Sequence, residues 1–155
     1  AEVAGFGTNS EDHHVTQPSA DTMAQAMRLA LEDAGLEPDA IGYVNAHGTA
    51  TDHGDIAEST ATAAVFGSRM PISSLKSYVG HTLGACGAYE AWITLEMMRE
   101  GWFAPTLNLE ERDPRCADLD YIIGEGRELQ TDYVMNNNFA FGGINTSLIF
   151  KRWKD

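Results

Sequence analysis

Two histidines sit in matching contexts: Asn45-Ala46-His47-Gly48-Thr49-Ala50-Thr51 and Tyr78-Val79-Gly80-His81-Thr82-Leu83-Gly84, with Lys76 five residues before the second. Each loop follows a short apolar run and precedes a helical pattern, which is where layered sheets collect functional residues. Glycine beside each imidazole lets a ligand, or the other loop, approach closely. Either histidine alone reads first as a hydrogen-bonded structural residue, and only the two together weigh evenly against that reading. The repeated context and the nearby lysine mark the pair as a candidate site.

Other chemistries fare worse. His47, Asp52, His53 and Asp55 cluster along the chain, yet they lack the one-face spacing of a His-Glu-x-x-His helix and any paired-cysteine pattern. No metal is expected, and His13, His14 and His53 read as solvated loop residues. No Gly-x-Ser-x-Gly elbow offers a serine nucleophile. Gly5-Phe6-Gly7-Thr8-Asn9-Ser10 is an incomplete dinucleotide fingerprint followed by a polar loop, so nucleotide binding is rejected. Cys86 falls in the small-residue first turn of a helix, where dense packing is the simplest reading and a thiol activated by the helix end the alternative. Cys116 is a loop residue without a base nearby in sequence.

The elements that position the two loops follow from periodicity. A short strand is expected at Glu2–Phe6, then a polar loop over Thr8–Ser19. Met23, Met27, Ala30, Leu31 and Ala34 recur at helical spacing, with Gly35 and Pro38 ending that helix. Ile41–Asn45 reads as a buried strand leading to His47. Asp55–Phe66 reads as a helix with Ile56, Thr60, Ala63 and Ala64 inward. Pro71–Leu75 is a strand leading to Lys76, and Leu83–Glu100 a helix whose inner face carries Ala91, Trp92, Leu95 and Met98. Leu119–Ile123, Tyr133–Asn137 and Ile144–Phe150 complete the strands, the last two joined by Phe139-Ala140-Phe141-Gly142-Gly143. The alternation predicts a layered α/β fold with a mixed sheet.

Length and composition bound the rest. The 155 residues, 43% of them apolar, suit one domain with a real core. Ten basic against 23 acidic side chains give a net charge of −13, which argues against a phosphate-neutralising face and so against nucleic acid. No apolar run is long enough to cross a bilayer. Two cysteines are too few for a disulfide scaffold, so a reducing, cytoplasmic compartment is expected. The chain opens inside a strand without an initiator methionine, as a fragment of a longer protein would.

Read together, three ordered signatures resemble the C-terminal half of the elongating β-ketoacyl-acyl carrier protein synthases. They are His47-Gly48-Thr49-x-Thr51-x-x-Gly54-Asp55-x-x-Glu58; Lys76 with Gly80-His81-x-Leu83-Gly84-Ala85-x-Gly87-x-x-Glu90; and Asn136-x-x-Phe139-x-Phe141-Gly142-Gly143-x-Asn145. Polyketide ketosynthases share them. The resemblance implies a thiolase-like half, residues 1–155, built as a mixed five-stranded sheet layered with helices. It implies that His47 and His81 hydrogen-bond the malonyl thioester carbonyl and that Lys76, partnered by Glu90, sets the charge and orientation of the second histidine. Thr49 and Thr51 would contact the phosphopantetheine arm of acyl carrier protein, Phe139 and Phe141 would lie by the acyl pocket with Phe141 as its gate, and Gly142 and Gly143 would support that loop. No cofactor is bound by the chain itself.

The same resemblance places the nucleophilic cysteine in an N-terminal half that this chain lacks, so the chain alone is expected to be inactive. Its expected partners are that half, acyl carrier protein and, at full length, a second copy in a homodimer. A non-catalytic subunit like the chain-length factor of type II polyketide systems, or a stand-alone acyl-binding module, are the other readings. Retention of His47, Lys76 and His81 favours the enzyme. Ala140 stands where the family usually has glycine.

Overall fold

Gly5 and Gly7 let the first strand lie directly on a helix: a Cβ at either position would stand within 2.3 Å or less of a carbonyl oxygen of Ala30 or Ala26. Those glycines therefore serve close strand-to-helix packing. The structure is a computed structural model describing residues 1–11, 18–140 and 142–154. His13, His14 and Phe141 lie outside the described residues.

Strand β1 (Glu2–Ser10) leads to α1 (Ala20–Ala34), β2 (Tyr43–Asn45), α2 (Asp52–Phe66), β3 (Pro71–Ser73) and the short α3 (Lys76–Val79). Then come α4 (Cys86–Glu100), β4 (Trp102–Phe103), β5 (Asp120–Tyr121), β6 (Arg127–Glu128), β7 (Tyr133–Phe139) and β8 (Ile144–Lys151). The main sheet runs β1-β8-β7-β2-β3-β5. Neighbours β7, β2, β3 and β5 are parallel, while β8 is antiparallel to both β7 and β1. The mixed sheet has six strands where five were expected, because the short β5 pairs with β3 at its edge; β1 also runs on to Ser10 along β8, where a loop was expected from Thr8. The edge strand β5 contains only two residues.

Two apolar layers sandwich the sheet. Met23, Met27 and Leu31 of α1 and Ala57 and Ala61 of α2 meet Val44, Met135 and Ile149 on one face. Met97 and Met98 of α4 and Phe103 meet Tyr43, Val134 and Phe150 on the other. Helix α1 follows its sequence pattern: Ser19 caps the first turn and Gly35 ends the helix in the left-handed region at φ 65°.

The inward faces of α2 and α4 differ from expectation. Ala57, Glu58, Ser59, Ala61 and Thr62 are the buried residues of α2, while Thr60 and Ala64 face solvent. In α4 the buried set is Cys86, Glu90, Thr94, Met97 and Met98, and Trp92 is 59% exposed. Both helices mix small and polar residues so evenly that no apolar stripe identifies the buried side.

Candidate active site

Strand β2 feeds α2 on one face of the sheet, and β3 feeds α4 on the other. Their C-terminal ends therefore diverge, as at the crevice where open α/β sheets receive ligands. His47 leaves the end of β2, and His81 lies between α3 and α4. Their ring centroids are 5.2 Å apart with planes at 87°. Phe139, at the end of β7, has its ring 6.2 Å from that of His47.

The His47 loop is held from below by α2. Glu58 Oε1 accepts the His47 backbone N–H at 2.7 Å, and Oε2 accepts that of Gly48 at 2.8 Å. The Asp55 carboxylate, one helical turn before Glu58, faces the backbone amides of Thr49, Ala50 and Thr51, which pull its pKa down. Two carboxylates a helical turn apart thus lie under the loop, Glu58 bonded to its first two amides, and the loop takes left-handed residues at Gly48 (φ 43°) and Ala50 (φ 57°). Burial pushes Glu58 up to about 7 against the pull of the His47 and Gly48 amides, and raises Asp55 above the usual carboxylate range.

His47 itself is 8% exposed. Burial first, then the charges of Lys76 and His81, lower its pKa to about 3, so the ring is neutral at any ordinary pH. Its Nδ1 is buried without a hydrogen-bond partner among the described residues. His81 is exposed, and its Nδ1 accepts the Leu83 backbone N–H at 3.1 Å. In the neutral ring that bond leaves the proton on Nε2, making this nitrogen the donor. Leu83 adopts φ 53° to present its N–H, a strained conformation for a residue with a side chain.

Lys76 is buried against Glu90, Nζ to Oε1 at 2.5 Å, with side chains 5% and 2% exposed. Glu90 Oε2 accepts Asn138 Nδ2 from β7 at 2.8 Å, so the ion pair is tied to the sheet. The Lys76 charge acts on His47, the first histidine, whereas the resemblance assigns it to the second, His81.

Thr49 and Thr51 hydroxyls stand 2.9 Å apart. They line a cleft of about 750 Å³ whose walls include Lys76, His81, Thr106 and Tyr121. The His47 ring is not among that cleft's lining and contacts Phe139 instead. Gly142 and Gly143 take φ 82° and 77°, and a Cβ on Gly143 would meet Glu11 Cγ at 2.4 Å, so both glycines are required by the loop's shape.

Both thiols lie outside reactive surroundings: Cys86 is buried at the start of α4, Cys116 is half-buried in the cleft wall, and burial raises the pKa of each. Three supporting residues carry no role in the sequence reading: Asp55, Glu58 and Asn138. A carboxylate pair at i and i+3 beside a histidine loop was the available signal for the first two. Asn138 had none, because its role arises only when β7 packs on α4.

The sequence profile described as "Beta-ketoacyl synthase, C-terminal domain" matches residues 1–110. The 3-oxoacyl-[acyl-carrier-protein] synthase 2 of Coxiella burnetii is 41% identical over 157 residues, covering 98% of this chain and 38% of that protein. The Synechocystis protein of the same name is 39% identical over 158 residues, with 99% and 38% covered. A crystal structure of a β-ketoacyl synthase from Burkholderia phymatum superposes with a TM-score of 0.98 at 71% identity, over 99% of this chain and 38% of the other. A type II polyketide ketosynthase, solved with its acyl-carrier protein and bound to a hexaketide, gives 0.93 at 34% identity, over 99% and 39%. The chain therefore spans well under half the length of the proteins it matches.

Proposed function

The chain belongs to the β-ketoacyl synthases, in their C-terminal domain, and from that premise we propose that it supplies the carbanion-forming half of a decarboxylative condensation in fatty-acid synthesis. The substrate is a malonyl group carried as a thioester on the phosphopantetheine of acyl carrier protein. Its C–C bond to the carboxylate breaks, carbon dioxide leaves, and the bonding electrons pass into an enolate whose negative charge gathers on the thioester oxygen.

The Nε2–H groups of His47 and His81 are the donors to that oxygen. The pairing of a neutral, buried His47 with a His81 whose tautomer is set by Leu83 carries this reading. Two fixed donors stabilise charge that develops only in the transition state, with little reorganisation. Lys76 disfavours protonation of His47, and Glu90 keeps Lys76 in place. Thr49 and Thr51 hold the phosphopantetheine arm. Phe139 borders the acyl pocket, Gly142 and Gly143 shape the loop that leads into β8, and the gating role falls to Phe141, which is outside the described residues.

The enolate carbon then attacks the acyl thioester on a cysteine of the N-terminal half. A new C–C bond forms, the thiolate leaves, and the product is a 3-oxoacyl thioester. Residues 1–155 are the C-terminal thiolase-like domain of this synthase, which acts as a cytoplasmic homodimer. The same steps serve polyketide chains; the 3-oxoacyl-carrier synthase relatives favour fatty-acid elongation.

The test is product formation by the synthase that carries this domain, given malonyl and acyl carrier proteins. Release of carbon dioxide together with a 3-oxoacyl carrier product is the expected result, and the 155-residue chain alone should form none. Failure of the full-length protein to decarboxylate the malonyl group would contradict the proposal.

A further inference from the structure

Ser74 lies at the end of β3, two residues before Lys76, and is buried. All of its polar groups are engaged, each by a different segment. Its Oγ donates to the Gly48 carbonyl of the His47 loop at 3.0 Å. Its backbone N–H donates to Thr106 Oγ1 at 3.0 Å. Its carbonyl accepts Ser77 Oγ at 2.8 Å, and Ser77 Oγ in turn accepts the Leu107 N–H at 2.9 Å. Contact with Gly48 is tight as well, since a Cβ on Gly48 would lie 2.6 Å from the Ser74 Cβ.

The His47 loop hangs from β2 and α2, whereas Lys76 and His81 follow β3. Backbone pairing carries the first segment as far as Ala46, whose N–H donates to the Ser73 carbonyl at 2.9 Å, and the Ser74 hydroxyl adds a side-chain hydrogen bond on the far side of His47, to Gly48. We infer that Ser74 is a positioning residue that sets the separation of the His47 and His81 rings, and the inference rests on the enolate-donor reading above. Donors to a developing oxyanion act only when both converge on one atom, and a displacement of about 1 Å can cost roughly a hundredfold in rate. Without the hydroxyl, the carbonyl of half-buried Gly48 loses its partner and the loop shifts away from β3.

The experiment uses the full-length synthase and measures carbon dioxide release from malonyl carrier protein separately from acyl loading of the cysteine. Ser74→Ala should lower decarboxylation kcat about tenfold or more, with KM and acyl loading near the parent values. In a His47→Ala background the same substitution should cost nothing further, because Ser74 acts through that ring. Thr106→Val, which removes the acceptor of the Ser74 N–H, should repeat the selective loss at smaller size, and it carries the test if Ser74→Ala does not fold.

Parent-like decarboxylation in Ser74→Ala, equal losses in both steps, or a full additional loss on top of His47→Ala would each overturn the inference. A parent-like rate in His47→Ala would instead remove the enolate-donor reading. A crippled His47→Ala beside an unaffected Ser74→Ala would remove only the role of Ser74.

Discussion

The loop carrying His47 and the segment carrying His81 reach the same spot by opposite constructions. The His47 loop gives the backbone amides of His47 and Gly48 to the Glu58 carboxylate and buries the imidazole. The His81 segment leaves its imidazole in the open and orients it with the N–H of Leu83, itself 70% exposed. Burial makes an imidazole neutral without any counter-charge, but only if the polar loop that comes with it is satisfied. A backbone bond sets a tautomer without burial, but here it demands a left-handed Leu83.

Lys76 begins the segment that leads to His81 and its charge acts on His47, so its loss should have the largest effect. Lys76→Ala leaves Glu90 buried without its cation, a change that typically costs about 3–5 kcal/mol of stability. It also removes one of the charges holding His47 down, so the acid side of the decarboxylation pH profile should move upward. Denaturant unfolding together with a pH series reads both; an unchanged profile would mean that the Lys76 charge does not reach the donor.

The next contrast is in acid. An unfolded histidine titrates near 6.5 and folded His47 at about 3, so the unfolded chain takes up the proton first. Stability tied to His47 is whole above pH 6.5 and is lost as pH falls toward 3. The loss is on the order of a few kcal/mol at about 1.4 kcal/mol per unit. Stability measured against pH should therefore lose this slope in His47→Gln and keep it in His81→Gln; equal slopes would erase the distinction between the two loops.

Glu58→Gln tests the amide cradle. One acceptor oxygen becomes an amide that cannot accept, leaving a buried N–H of the loop unpaired at about 1–3 kcal/mol. Decarboxylation should fall, and the inflection that Glu58 contributes near pH 7 should vanish from its pH profile. Persistence of that inflection would assign it to another group.

The smallest effect concerns Ala140. It is not among the residues with positive φ, so alanine costs nothing in this conformation. If acyl entry moves the loop into a left-handed state, Ala140→Gly should speed loading of long acyl chains by a factor worth about 1 kcal/mol. Equal loading across chain lengths would leave the loop without that role.

How much of this was legible depended on contrast within each segment. Helix α1 was readable because Met23, Met27, Ala30 and Leu31 stand out against Asp21, Gln25 and Glu32. His47 stands at the end of β2 as its loop context implied, and Lys76 pairs with Glu90 as the signatures implied, whereas the short α3 separates His81 from the end of β3. The faces of α2 and α4 were hidden because alanine, serine and threonine serve either side. Strands β4 and β6 are two residues each, below any periodicity, and of the strand expected at Leu119–Ile123 only Asp120–Tyr121 pairs. Glu58 was quoted within a signature without a role, since a carboxylate on a helix normally signals the wet face. Only the folded loop reveals that backbone amides take the place of water.

The account stands on His47 and His81 acting as paired donors to one developing oxyanion, and that claim is measured by separating the two chemical steps. In the full-length synthase, His47→Ala and His81→Ala are each assayed for acyl loading and for carbon dioxide release across pH. Each should lower decarboxylation roughly a hundredfold, the loss of about 3 kcal/mol typical of one such donor, and leave acyl loading far less affected. If His81→Ala instead left decarboxylation intact while abolishing acyl loading, the donor role assigned to the pair would be wrong.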